Sequence, residues 1–183
     1  RSVCLFFSDK AVSDGARIYP DAIALFEKGE QVATFSLDRA GLTGPHNREN
    51  IAAACLAARA QGASDDGIQK AIEAYRGLPH RLELVGKIRG VHFWNDSKAT
   101  NVDAVRRALE CFAKPVVLIM GGQNKKGDFT QLQPSVRHRV KKLVVVGEAT
   151  EEICEALSNE AKEGCIKADS LEDAVEKAMQ EAE

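Results

Sequence analysis

From Phe93 to Val105 the chain reads FWNDSKATNVDAV. An apolar, aromatic run gives way to Asn95, Asp96, Ser97 and Lys98, and a helical pattern resumes after Asn101. A carboxylate, an ammonium, two hydroxyls and two amides fall within the seven positions 95–101. A carboxylate suits paired ribose hydroxyls, and an ammonium suits a phosphate or carboxylate anion. A second polar cluster, Gly121 to Asp128, follows the apolar run Val116–Met120. Its glycines would let backbone approach a ligand closely. Lys98 and Lys125 could hold anionic groups, helped by the N–H groups of the helix starts that follow. Spacing alone leaves plainer roles open: Asp96 or Ser97 as helix caps, Gly121-Gly122 as an ordinary turn after a strand, and Lys125-Lys126 as a solvated pair.

These residues need elements to position them. Residues 1 to about 43 read as β-rich, with strands at Val3–Phe7, Ile23–Phe26 and Gln31–Ser36 and a hairpin turn at Lys28-Gly29-Glu30. Past Gly44-Pro45, Ile51, Ala54, Cys55 and Ala58 follow a helical period with Asn47 as the N-cap. A second helix has Asp65 as its candidate cap, carries Ile68, Ala71, Ile72 and Tyr75 as its stripe, and stops near Gly77. Residues 1–77 thus form a first domain and 78–183 a second. The second opens with a hairpin, Leu82–Ile88 and Val91–Trp94 about Arg89-Gly90. Helices and strands then alternate: helices at Val102–Phe112, Gln131–Val140, Glu151–Ala161 and Leu171–Ala182, and strands at Val116–Met120, Leu143–Val146 and Cys165–Lys167. The apolar strands Val116–Met120 and Leu143–Val146 read as buried on both faces, which predicts an α/β fold with a mostly parallel sheet. Ligands of such sheets bind at the carboxyl ends of the strands. Asn95–Lys98, Gly121–Asp128 and Gly147–Thr150 occupy three such ends, and the first two would be neighbours if their strands were.

Composition narrows the function classes. The 183 residues carry 25 Lys and Arg against 27 Asp and Glu, a net charge of −2 that argues against a nucleic-acid binder. No apolar run approaches the roughly 20 residues of a membrane span and no signal peptide opens the chain, so a cytoplasmic, soluble protein is expected. The five cysteines are odd in number and scattered, without C-x-x-C spacing, and read as small buried hydrophobes rather than a disulfide or zinc framework. The four histidines show no metal-ligand spacing. Neither end reads as a natural terminus: Arg1 leads straight into an apolar strand and no initiator methionine is present.

The order of the polar blocks resembles a family. Gly44-Pro45-His46-Asn47-Arg48-Glu49-Asn50 before an Ala-rich helix is similar to the G-x-H-N-x-x-N signature of the Mur ligases. Leu78-Pro79-His80-Arg81-Leu82-Glu83, Asn95-Asp96-Ser97-Lys98-Ala99-Thr100-Asn101 and Gly121-Gly122-x-x-Lys125-x-Gly127-Asp128 resemble the next three blocks, in order. The wording of the third resembles the D-glutamate-adding branch rather than its siblings. The resemblance runs over the whole chain and implies a Rossmann-like amino-acid-binding domain (78–183, incomplete at its C-terminus) preceded by the β/α tail of a central ATPase domain (1–77).

It also implies a chemistry. ATP would phosphorylate the L-alanyl carboxylate of UDP-N-acetylmuramoyl-L-alanine, and the amine of D-glutamate would attack the acyl phosphate and release phosphate. Positioning and charge neutralisation carry most of such phosphoryl transfer. The resemblance places Asn47 and Asn50 beside the adenine, Arg81 and Asp96 on the ribose and phosphate side, and Lys98 as the catalytic residue facing the acyl phosphate. Thr100 and Lys125 would hold a D-glutamate carboxylate, and His80 is a further candidate. The small-molecule substrates are the only partners implied: no nucleic acid, no membrane, a monomer. Three departures stand out. No G-x-G-K-[ST] phosphate loop is present, since the only Gly-Lys pair, Gly86-Lys87, is followed by Ile88. The Mg2+ ligands and modified lysine of the central domain, the sugar-nucleotide domain, and the last strand with its serine and aromatic contacts to glutamate are likewise not matched. The remaining readings are another Mur ligase, a folylpolyglutamate synthase, or a non-catalytic nucleotide-binding α/β module. The chain alone is therefore expected to release no ADP in response to D-glutamate, and measurable release by residues 1–183 would contradict that reading.

Overall fold

The computed structural model describes residues 5–123 and 127–182 and contains two compact units, Arg1–Gly77 and Leu78–Glu183. The first unit is a four-stranded sheet covered by two helices. Strands β1 (Phe6–Ser8), β2 (Gly15–Ile18), β3 (Ala22–Glu27) and β4 (Glu30–Ser36) lie in chain order, with β1–β2 parallel and the rest antiparallel. Lys28 and Gly29 both take positive φ in the β3–β4 turn, which is where the sequence predicts a hairpin. Strand β2 carries no such signal: Gly-Ala-Arg-Ile is short and only half apolar. Its position depends on close pairing, since a Cβ on Gly15 would lie 1.9 Å from the Phe6 carbonyl oxygen.

Ala16, Ile23, Leu25 and Phe35 form the sheet's contribution to the core of this unit, against Ile51, Ala52 and Cys55 of helix α1 (Pro45–Ala60) and Ile68 of helix α2 (Asp65–Ala74). Burial raises the Cys55 thiol to about 11, which keeps it an inert apolar side chain. Several sequence expectations shift here. Ala52, not Ala54, faces the core. Ser64, not Asp65, caps α2 by accepting from the Gly67 N–H. Tyr75 is exposed, because α2 ends at Ala74 and the chain turns extended there. A reciprocal pair fixes α2 on β4: the Ser36 N–H donates to Gln69 Oε1 and Gln69 Nε2 donates to the Ser36 carbonyl.

The second unit opens with an antiparallel hairpin, β5 (Glu83–Ile88) and β6 (Val91–Asn95), turned by Arg89 and Gly90, both at positive φ. Helix α3 (Val102–Leu109) leads to a parallel sheet of β7 (Val116–Gly121), β8 (Val140–Val146) and β9 (Cys165–Ala168). A 3-10 turn (Phe129–Leu132) runs into helix α4 (Gln133–Arg139), and helices α5 (Thr150–Leu157) and α6 (Leu171–Ala182) complete the unit. The period of two explains its three layers. Leu143 and Val145 of β8 join Val116, Leu118 and Met120 of β7 on one face, packed against Leu109, Leu132, Val136, Ile153 and Leu157. Val144, Val146, Val117 and Ile119 line the other face, against Ala174 and Ala178 of α6. The continuous apolar runs are thus the mark of a sheet covered on both sides.

Two cysteines the sequence leaves scattered come together here: Cys154 Sγ on α5 and Cys165 Sγ on β9 are 2.8 Å apart. Burial first, then the hydrogen bond from its neighbour, pushes the Cys165 thiol up to about 12. Among the described residues no helix is long and apolar enough to cross a membrane.

The carboxyl ends of β7 and β8 meet through glycine. A Cβ on Gly121 would sit 1.7 Å from the Val146 carbonyl oxygen, a contact with backbone that no rotamer can relieve. The Gly122 N–H donates to that same carbonyl, and the Ala149 N–H donates back to the Gly122 carbonyl. Gly121→Ala should therefore cost about 3 kcal/mol or more of unfolding free energy, read as a lower urea midpoint for the second unit. A second test concerns acid. Hydrogen bonds from Arg106, then Arg107, hold the Asp103 carboxyl below its ordinary value of 3.8. A depressed carboxyl stabilises the fold above its unfolded value and loses that contribution as pH falls through the folded one. Asp103→Asn should flatten the loss of stability below about pH 3.8 and leave its slope near neutrality unchanged.

Candidate functional site

The Leu78–Leu82 segment folds back on the turn that leaves β6, and the tie is made mostly by backbone. Register begins it: Glu83 of β5 pairs with Asn95 of β6. The His80 N–H donates to Glu83 Oε2 at 2.8 Å, and the Arg81 N–H reaches the Leu78 carbonyl at 3.3 Å. The Lys98 N–H donates to the His80 carbonyl at 3.1 Å, and the Leu82 N–H donates to Asp96 Oδ1 at 3.1 Å. Asn95 Nδ2 lies 2.9 Å from His80 Nδ1. His80 and Leu82 have φ of 64° and 43°, a left-handed conformation that costs a non-glycine residue about 1–3 kcal/mol. Two such residues inside three positions persist because their carbonyl and N–H are held by the opposite turn.

The turn 95–101 then presents its groups. The Ser97 N–H donates to Asn95 Oδ1, the Ala99 N–H to the Asp96 carbonyl and the Thr100 N–H to the Lys98 carbonyl. Asn101 caps α3 by accepting from the Ala104 N–H at 2.8 Å. Asp96 is half-buried, while Lys98 and Thr100 are exposed. The structure thus puts Asp96, Lys98 and Thr100 on one turn, with His80 bonded against it and exposed Arg81 next to His80. The cap is thus Asn101 and neither Asp96 nor Ser97, whose N–H is a donor inside the turn. Glu83 and Asn95 are the participants that sequence reasoning passed over. Their signal was the register of the hairpin, which pairs them at the mouth of the turn.

In the first unit, Asn47 and Asn50 sit in the opening turns of α1, three positions apart. Asn50 Nδ2 donates to Asn47 Oδ1 at 3.3 Å and Asn47 Nδ2 to the Thr43 carbonyl at 2.7 Å. Asn47 is not the N-cap. Gly44 takes that place with no side-chain bond and Pro45 at the first position, so the Asn47 amide is spent on orientation.

The condition for the first two strand ends to be neighbours is not met. β6 pairs with β5 and β7 with β8, and no ladder joins β6 to β7 among the described residues, so the turns at Asn95 and Gly121 do not leave adjacent strands. The strand ends that do adjoin are Gly121-Gly122 and Gly147, where Gln123 Nε2 donates to Glu148 Oε1 at 3.1 Å. Gly121 lets these two strands approach each other. Lys125 lies outside the described residues. No three His, Cys, Asp or Glu side chains converge as a metal site among those described.

A family profile described as "Mur ligase, glutamate ligase domain" matches residues 80–183. Over 97% of its length the chain is 46% identical to a UDP-N-acetylmuramoylalanine–D-glutamate ligase of Desulfatibacillum aliphaticivorans, and it spans 39% of that relative. Among solved structures, a pseudomurein peptide ligase type C of Methanothermus fervidus aligns over 93% of this chain and 37% of its own, with a TM-score of 0.65 at 18% identity. The folylpolyglutamate synthase of Mycobacterium tuberculosis, solved with ADP, aligns over 90% and 39%, with a TM-score of 0.63 at 17% identity. These two likenesses concern the fold. The chain belongs to the Mur ligase family.

The Asp96–Leu82 bond separates two roles for the carboxylate. Asp96→Ala leaves a half-buried N–H without its acceptor and should destabilise the second unit by about 1–2 kcal/mol in urea. Asp96→Asn retains an oxygen for that N–H and should lose less than about half as much.

Proposed function

We propose that this chain supplies the nucleotide-facing end of an ATPase domain and the amino-acid domain of an ADP-forming ligase that joins D-glutamate to UDP-N-acetylmuramoyl-L-alanine in the cytoplasm. The observation that carries the reading is the strained 78–82 segment clamped on the 95–101 turn. It gathers a carboxylate, an ammonium and a hydroxyl, each of a type that one of the substrates requires. The named relative supports D-glutamate as the amino acid.

In this reading Asn47 and Asn50 hold the adenine through amides whose donor and acceptor sense is set by their own chain of hydrogen bonds. Asp96 receives ribose hydroxyls, and Arg81 offers a guanidinium to phosphate. The γ-phosphoryl group passes to the L-alanyl carboxylate, leaving ADP and an acyl phosphate. The D-glutamate amine attacks the acyl carbon, the amide forms, and phosphate and a proton leave. Lys98 neutralises charge on the acyl phosphate, and Thr100 with Lys125 holds a D-glutamate carboxylate. Mg2+ would neutralise phosphate charge, and no cluster of His, Cys, Asp or Glu among the described residues would hold it. The working protein is a monomer.

A chimera tests the proposal: residues 1–183 replace the matching segment of the Desulfatibacillum aliphaticivorans relative. ADP release should depend on D-glutamate and not on L-glutamate, L-lysine or meso-diaminopimelate. Lys98→Ala should lower kcat by about 100-fold or more. Asp96→Asn should raise the KM for ATP, and Thr100→Ala the KM for D-glutamate, each by about tenfold. ADP release indifferent to D-glutamate would overturn the assignment.

A further inference from the structure

The contact between Asn95 and His80 has a chemical sense that can be worked out atom by atom. An Asn side chain has one acceptor end and one donor end. The Ser97 N–H donates to Asn95 at 3.0 Å, and a backbone N–H can be received only by the amide oxygen, so that end is Oδ1. The other end is then the NH2, and it faces His80 Nδ1 at 2.9 Å. A donor on Asn95 requires a lone pair on Nδ1, and a neutral imidazole with a bare Nδ1 carries its proton on Nε2. The backbone that carries the ring is held in place. The His80 N–H is bound to Glu83, its carbonyl receives the Lys98 N–H, and its φ of 64° is held between them.

We infer that Asn95 is a positioning residue for His80: it selects the neutral tautomer protonated on Nε2 and so makes the outer edge of that exposed ring a hydrogen-bond donor. The acceptor it fits is an anionic or carbonyl oxygen, and a phosphoryl oxygen is the one available in the ligase reading, on which this functional part rests. The same loop could be tied down equally well by an aspartate accepting from Nδ1–H. That arrangement would leave Nε2 as an acceptor, repelled by phosphate oxygen. The polarity of the tie, not its existence, is therefore what serves the ligand.

Asn95→Asp isolates this polarity. It keeps an oxygen for the Ser97 N–H and replaces the donor facing His80 with an acceptor. The 183-residue chain, labelled with 15N-histidine and without nucleotide, reports tautomers through its ring proton–nitrogen correlations. With four histidines, His80→Gln identifies the His80 signals. In the parent chain near pH 8 the Nε2–H form should dominate. Asn95→Asp should move the ratio towards Nδ1–H by about tenfold or more, with Asn95→Ala between them. A ratio that is the same in all three proteins overturns the inference, whatever the ligand.

The chimera supplies the functional arm. Asn95→Asp should lower kcat/KM for ATP by about tenfold when His80 is present, and add no further loss on His80→Gln. Losses that multiply would mean that Asn95 acts independently of the ring, and would overturn the positioning role. An inactive parent chimera would count against the ligase reading alone, because the tautomer is measured with no ligand present.

Discussion

The second unit's site depends on one half-buried carboxylate. Asp96 takes the N–H of Leu82, a residue held at positive φ, and through that bond two segments 14 positions apart in sequence become one surface. Without an acceptor there, the left-handed pair His80 and Leu82 would relax towards ordinary backbone, and the His80 carbonyl would move away from the Lys98 N–H. Strain of this kind persists only where its surroundings over-determine it, and such places tend to be functional. The side chains available for chemistry extend from this frame. The frame leaves the side chains of Lys98, Thr100 and Arg81 exposed.

The hairpin and the parallel sheet play unequal parts. β5 and β6 set the register that brings Glu83 beside Asn95, and both of these residues then bond into the 78–82 segment. The β7–β8–β9 sheet supplies stability through two apolar faces, and its strand ends meet so closely that Gly121 leaves no room for a Cβ. Glycine at that junction is thus explained by packing. Gln123 of the polar cluster after β7 bonds Glu148 beside the Gly147 turn.

Much of the α/β architecture was legible because it rests on local patterns. Alternation and continuous apolar runs marked β3, β4, β7 and β8, and the Lys28-Gly29 and Arg89-Gly90 turns announced the hairpins. What escaped was non-local. β2 is a four-residue strand whose neighbours, not its composition, make it one. The cap of α2 went to Ser64, whose hydroxyl receives the Gly67 N–H, while α1 opens at Gly44 with no side-chain cap and Pro45 at its first position. Asn47 looked like a cap and turned out to orient a second amide, Asn50.

By itself the sequence determined which chemical groups are present and in what order: the amides of Asn47 and Asn50, the Leu-Pro-His-Arg segment, and the carboxylate, ammonium and hydroxyl of 95–101. That order carried the family. Only the tertiary structure decided which of these groups share a turn, which are consumed by the fold, and with what polarity. The reason is that a motif records composition along a line, while a hydrogen bond also needs a distance and a direction. Asn95 illustrates the difference. In the sequence it is one more polar residue after a strand. In the fold, the N–H of Ser97 fixes which end of its amide faces His80, and with it the edge of the ring that carries the proton.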